Sequence, residues 1–426
     1  MRRIVPAVVV IALIAVVLVV VLAGGDDAPT DPDPGSTASE APDDDDPVSD
    51  DPPEPEPSDA ADPDEGAPPP APQPRVETVV DGLDGPWGLA LLPDEPRVLV
   101  TQSGGTLSLV DLETGEVADV GGVPEVDASG QGGLLDVALH PGHPDPAWIY
   151  LTYAAAEPGG TTTHLARGRL DRDALRLDDL EVLFSAEPVV ASTVHYGSRV
   201  AFGPDGHLYV TVGDRGDKDF GDHVSRDTSN TLGTTVRLSP DGEVPDDNPF
   251  VGDPDFADEI FTFGHRNVQG MALHPETGEL WQSEHGEEDG DELNVLEAGG
   301  DYGWPETHTG CHYGTDDPVG EPPFDRDDVV DPVFHWECGT GGFPPAGMTF
   351  VTGDEFAAWE GDLLVGGLAT RELARFTVDG HEVEQADPLL VDEGWRVRDV
   401  TVGPDGELLV AVDEGRLVRV RNDAAS

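Results

Sequence analysis

HYGSRVAFGPDGHLYVTVGDRGD, residues 195–217, contains the unit on which the fold turns. Two short apolar-rich runs, RVAF and HLYVTV, flank a Pro-Asp-Gly turn. Proline sets its own φ and glycine accepts the backbone angles that a tight hairpin turn requires. Alternating or continuous apolar residues on either side read as strands. The same unit recurs as GLALLPDEPRVLVTQ from Gly88, DVALHPGHPDPAWIYLTY from Asp136 and GMALHPETGELWQSEHG from Gly270. It returns as GMTFVTGDEFAAWEGDLLVGG from Gly347 and DVTVGPDGELLVAVDEG from Asp399. Beyond Arg75 no 3.6-residue periodicity is sustained. Six hairpin units, spaced widely enough for four-stranded blades, predict an all-β chain folded as a six-bladed β-propeller. A pair of β-sandwiches would not repeat one hairpin throughout. RVETVVDGL, from Arg75, is expected to add a strand to the last blade beside LVRVRND near the C-terminus. Residues 75–426 then form one domain.

The N-terminal part follows other rules. Arg2 and Arg3 precede an uncharged, mostly apolar run from Ile4 to Ala23, long enough to cross a bilayer with the arginines left in the cytoplasm. Val21-Leu22-Ala23 before Gly24 also offers a cleavage site. Residues 1–23 are therefore expected to be a signal peptide or an N-terminal membrane anchor, with the rest exported, either secreted or held at the cell surface. Residues 24–74 are Asp, Pro, Ala, Ser and Glu with almost no large apolar side chains. They are expected to form a disordered acidic, proline-rich tether, because they cannot bury enough surface to offset ordering.

The formal charge is -65 and Lys218 is the only lysine. This excludes the basic footprint of a nucleic-acid binder and argues against docking on anionic headgroups, so membrane contact is expected through the N-terminal helix only. The acidic surface reads either as tolerance of high salt or as a general composition bias. Cys311 and Cys338 are the only cysteines. In an exported chain a lone pair is expected to be disulfide-bonded, the alternative being two free thiols.

In a propeller the loops before each repeated hairpin gather at one end of the central channel. GQGGLLD, HYGSR, GHRNVQG and GWRVRD occupy that place in four units, which would bring Gln131, His195, Arg199, Arg266, Asn267, Arg396 and Arg398 together. Several arginines converging in so acidic a protein call for an anion, a polycarboxylate or a phosphate. SEHGEEDGDELN, from Ser283, sets carboxylates among glycines, a composition that suits a hard cation such as Ca²⁺. Each residue also has a plain reading. His195 is then a surface histidine, Asp214 and Arg215 a turn pair, and Arg396 and Arg398 an outward strand face. Trp87 and Trp304 read as packing between blades.

Taken in order, GQGGLLDVALHP, HYGSRVAFGPDGHLYVTVGDRGD, GHRNVQGMALHP, SEHG…GDELN…GDYGWP and WRVRDV resemble the PQQ-dependent soluble sugar dehydrogenases. The likeness is strongest to the aldose sugar dehydrogenase branch of the glucose/sorbosone dehydrogenase family, and covers about Val76 to Val420. The resemblance implies a six-bladed propeller that oxidises aldose sugars at C1 to the lactone and passes electrons to an external acceptor (quinone, cytochrome or dye). It implies PQQ and Ca²⁺ as cofactors. His195 matches the general base and Asp214 the aspartate that orients it. Gln131, Arg266, Asn267, Arg396 and Arg398 match the side chains that hold the quinone. Arg266 also matches the group that steadies charge on the reacting oxygen. Gly286 and Glu287 match main-chain Ca²⁺ ligands, while Glu292 and the Tyr302 carbonyl match a second Ca²⁺ site.

Some positions depart from the family pattern. Ala369 or Thr370 stands where the family has a cofactor-contacting lysine, with Arg371 as a candidate substitute. Thr234 replaces another lysine, and Glu287 replaces a proline. Two other functions stay open: a cofactor-less extracellular propeller that binds carbohydrate or protein, and a Ca²⁺-dependent hydrolase such as a lactonase.

Overall fold

The computed structural model describes residues 70–93 and 95–425. The expected anchor (1–23) and nearly all of the expected tether lie outside the described residues. Among those described, the strands form six four-stranded antiparallel sheets, accompanied only by short 3-10 turns. The chain is the expected six-bladed β-propeller. No helix among these residues is long and apolar enough to cross a membrane.

Each repeated hairpin is the inner pair of a blade. The innermost strands are Pro86–Leu91, Leu134–Leu139, Val200–Phe202, Val268–Leu273, Pro345–Phe350 and Val397–Val402. The ring closes as expected: Pro74–Asp81 pairs with Arg416–Asn422, Val76 lying opposite Val420. The propeller starts slightly earlier than the predicted boundary, since Gln73 N–H donates to Asn422 Oδ1 at 2.9 Å. The core is divided among the interfaces between neighbouring blades. Ala90, Leu99, Val137 and Leu151 fill the first, Tyr150, Val210 and Val236 the second, and Val98, Val110, Leu409 and Leu417 the last.

Five of the six inner hairpins carry a register shift in the innermost strand, between Pro86 and Leu89, Leu134 and Val137, Val268 and Gly270, Pro345 and Met348, and Val397 and Asp399. A bulge re-aims side chains that the two-residue period would otherwise hide. Trp87, Asp136, Gln269 and Arg398 all lie within these shifts.

Arg199 was expected to join the anion-binding arginines. Instead it sits inside the channel, 5% exposed, with Nη1 3.2 Å from both Asp136 and Asp399. Its Nε donates to the Gln269 carbonyl at 2.5 Å and its guanidinium lies 4.3 Å from the Trp87 ring centroid. Two buried carboxylates share one guanidinium, which leaves a net negative charge. Burial pushes both carboxyls up, Asp399 to about 6. A folded-state value above the unfolded one gives stability that is fully present below about pH 3.8 and is lost as pH rises through about 6. Asp399→Asn keeps an acceptor for Leu89 N–H, which lies 2.9 Å from Asp399 Oδ2, and removes the ionisation. The variant is expected to gain up to about 3 kcal/mol over the parent between about pH 4 and pH 7.5, read from denaturant unfolding at the two pH values. An equal difference at both would contradict this account.

Candidate active site

His195 opens the third blade in the left-handed region, φ +49. Its backbone N–H donates to Gln131 Oε1 at 2.7 Å. The hairpin behind it, with Val200 opposite Val210, returns the chain so that Asp214 faces the ring. His195 Nδ1 and Asp214 Oδ1 are 2.7 Å apart. With Nδ1–H donating to the carboxylate, Nε2 keeps a free lone pair. Gly213 is required by close approach, since a Cβ there would lie 2.3 Å from the His195 carbonyl oxygen.

The electrostatics suit a base. Burial lowers the His195 pKa below the usual histidine value. Asp214 opposes that shift, and the Arg266 and Lys218 charges add to it. Burial by itself would raise the Asp214 carboxyl, but the hydrogen bond from His195 and the His223 ring facing it override that and hold the group well below the usual carboxylate range. Neutral imidazole therefore faces a fixed anion near neutral pH.

Two cavities at this end of the channel share Gln131 and His285. The larger, about 500 Å³, is lined by His195, Arg266, Gly286, Glu287, Asp291 and Tyr313 among others. The second, about 370 Å³, is lined by Trp87, Gln269, Arg396, Arg398 and Asp413. Each falls within the usual size of a small-molecule site.

The arginines expected to call for an anion are each paired with a carboxylate of the chain. Arg266 Nη2 donates to Glu287 Oε2 at 2.9 Å, and Lys218 Nζ lies 2.6 Å from Glu287 Oε1. Arg396 Nε and Arg398 Nε each reach Asp413 at 2.9 Å. Burial would raise Asp413, yet the Arg398 charge brings it below its ordinary value. Arg266 Nε and Asn267 Nδ2 are buried with no hydrogen-bond partner among the described residues. Asn267 lies behind the His195 loop, with its Oδ1 accepting Gly197 N–H at 3.1 Å. Orphaned buried donors beside three guanidinium groups fit an acidic, oxygen-rich ligand.

The expected cation positions lie along the larger cavity and behind it. Gly286 and Glu287 line it. Gly286 N–H donates to Asp291 Oδ1 at 3.0 Å, and a Cβ at this glycine would lie 2.0 Å from the Asp289 carbonyl oxygen. Glu292 is buried beside His308, whose Nδ1 lies 3.5 Å from Oε1. Tyr302 is also buried and donates its hydroxyl to the Val295 carbonyl at 2.5 Å. Among the described residues no cluster of three or more His, Cys, Asp or Glu side chains forms a metal site. Main-chain carbonyls of residues 286 and 287 belong to a different donor set, one suited to a hard cation.

Cys311 and Cys338 are disulfide-bonded. Cys311 pairs through its backbone with Glu288 at 3.0 Å in both directions, and Gly339 lines the larger cavity. The bond therefore ties down the cavity wall. Arg371, the candidate substitute for the missing lysine, lines neither cavity. It stands in the left-handed region at φ +60, donating to the Gly394 carbonyl at 2.9 Å and pairing with Glu414 at 3.3 Å. Trp304, read as inter-blade packing, donates its Nε1–H to Asp214 Oδ2 at 3.0 Å. Trp87 lines the second cavity. No local pattern marked either tryptophan, because the partners are distant in sequence.

Fold and site together define a small-molecule propeller with an aspartate-backed histidine at one mouth of its channel. A sequence model of the Glucose / Sorbosone dehydrogenase family matches residues 83–419, and the chain belongs to that family. The uncharacterized protein slr1608 of Synechocystis sp. is 38% identical over 370 residues, covering 83% of this chain and 88% of that one. Aldose sugar dehydrogenase YliI of Escherichia coli is 36% identical over 352 residues, covering 81% and 92%. The PQQ-bound form of aldose sugar dehydrogenase from Streptomyces coelicolor superposes with a TM-score of 0.68 at 30% identity, covering 83% of this chain and 99% of that one.

Proposed function

We propose that this protein oxidises aldose sugars at C1 to the lactone, with PQQ and Ca²⁺ as cofactors and His195 as the general base. One observation carries the reading. His195, backed by Asp214 at 2.7 Å, faces a cavity that Arg266 also lines, and that cavity shares its wall with the Arg396–Arg398 pocket. PQQ, when bound, supplies the hydride acceptor and Ca²⁺ the Lewis acid beside it.

The chain's own groups do the rest. His195 Nε2 takes the proton of the C1 hydroxyl while hydride leaves the same carbon, and a C=O bond forms there. Asp214 stabilises the resulting imidazolium and keeps the ring in the useful tautomer. Arg266 supplies positive charge where oxygen becomes negative. Arg396, Arg398, Gln131 and Asn267 would hold the carboxylates and carbonyls of the quinone, with guanidinium forks exchanging Glu287 and Asp413 for the ligand. Gly286 and Glu287 carbonyls would hold the Ca²⁺, and Glu292 with the Tyr302 carbonyl a second ion. The electrons then pass to an external quinone, cytochrome or dye. Export of the chain belongs to the same proposal.

Because the His195 pKa is lowered, the rate is expected to hold through neutral pH and to fall only below the ordinary histidine range, as the base becomes protonated. The test is reconstitution of metal-stripped protein with PQQ and Ca²⁺. Expected are a quinone absorbance shift and aldose-dependent dye reduction. Neither appearing would overturn the reading, and sugar binding without PQQ would favour the binding-module alternative.

A further inference from the structure

Asp214 carries more donors than one base requires. Oδ1 accepts from His195 Nδ1–H at 2.7 Å and from Gly216 N–H at 2.8 Å, while Oδ2 accepts from Trp304 at 3.0 Å. A second histidine faces the same carboxylate. His223 Nε2 lies 3.5 Å from Asp214 Oδ2, with both side chains 1% exposed. That nitrogen has no hydrogen-bond partner among the described residues. The far side of the ring decides its tautomer: Nδ1 accepts Ser225 N–H at 3.2 Å, where His223 caps the short turn Val224–Arg226. In the neutral ring the proton is therefore on Nε2, towards Asp214. Trp304 stands edge-on to the ring at 5.7 Å and 90°, and Phe220 lies 6.2 Å away.

We propose that His223 is a positioning residue for proton transfer, its Nε2–H closing onto Asp214 Oδ2 as His195 takes the substrate proton. Hydrogen bonds around catalytic groups are often long before the reacting complex forms and tighten in it. A carboxylate that shares its charge with a second donor pulls less strongly on His195 Nδ1–H. It also has less affinity for that proton, so the imidazolium keeps Nδ1–H and releases the proton taken from substrate at Nε2 to solvent. His195 is faced by Asp214, Arg266 and Lys218, and His285 lies across the cavity. His223 is faced by Asp214, with Asp217 bonding the next backbone N–H at 3.1 Å and His312 beyond Phe220. Of these, His223 brings a donor unpartnered among the described residues to 3.5 Å from Asp214 Oδ2.

The substrate's identity rests on the dehydrogenase reading, but the effect on His195 does not, so it is measured first in cofactor-free protein. His223→Phe keeps the aromatic contacts and removes the donor, and His223→Gln retains an N–H. With ring-labelled histidine, and His195 assigned by loss of its signal in His195→Ala, His223→Phe is expected to move the His195 titration up by about half a pH unit or more. His223→Gln should move it less. In the PQQ-loaded enzyme the acid limb of kcat/KM should move up with it, KM for the sugar staying constant at high pH. An unmoved titration in folded His223→Phe, or an equal movement in both variants, would overturn the proposal. If His223→Phe does not fold, His223→Leu reads the same quantity. A shifted titration in protein that oxidises no sugar would support the role of His223 and sink the dehydrogenase reading instead.

Discussion

His195→Ala is expected to lower sugar oxidation by about 10²–10⁴-fold while leaving the absorbance of bound PQQ in place. The two readouts separate because the base and the ligand-holding groups come from different blades. The alanine removes Nε2 and frees one oxygen of the Asp214 carboxylate, but it touches neither Arg266, Arg396 and Arg398 nor the carboxylates that pair with them before the ligand binds. Trp304 and Gly216 still donate to Asp214, so the buried carboxylate is not stranded and the fold should survive. Stopped-flow reduction of the bound quinone by an aldose measures the step directly. Turnover within a few-fold of the parent would remove His195 from the mechanism.

Gly347→Ala is expected to cost about 1–3 kcal/mol of stability, the range for forcing extra volume into a filled core. A Cβ at Gly347 would lie 1.8 Å from Asp399 Oδ1, 2.8 Å from its Cγ and 2.7 Å from Arg199 Nη2. The carboxylate cannot simply turn aside, because Leu89 N–H holds its other oxygen at 2.9 Å. Either the innermost strand of the fifth blade moves outward or the Arg199 cluster loses a member. Chemical denaturation measures the loss. Combining the change with Asp399→Ala should cost less than the sum of the two single changes, since the clash is then absent. Strict additivity would place the cost elsewhere.

The blade hairpins were legible because both of their strands are buried and their turns are built from Pro, Asp and Gly in varying order, which is local information. His195 and Asp214 were legible as a pair for the same reason: one antiparallel hairpin joins them, and register brings its ends together. The disulfide was expected from cysteine count and the inferred export, and the ring closure from a strand-like run left over at the start.

Partners distant in the chain were not legible. Trp304 meets Asp214 across 90 residues and Arg199 meets Arg398 across 199. Nothing in RVAF shows that Arg199 belongs to Asp136 and Asp399 rather than to a ligand. Nor does GGLATREL show that Arg371 turns away to Gly394. The bulges in five inner strands decide which polar groups enter the channel, and a two-residue period cannot register them. The sequence by itself therefore determined the architecture, the closing strand and the pairing of His195 with Asp214, because each follows from neighbours within one hairpin or from a repeat. Only the tertiary structure decided which arginines face the cavity, which carboxylates hold them meanwhile, and that a second histidine stands on Asp214. Those contacts arise where six blades converge on one axis, and their energies depend on burial that no single segment possesses alone.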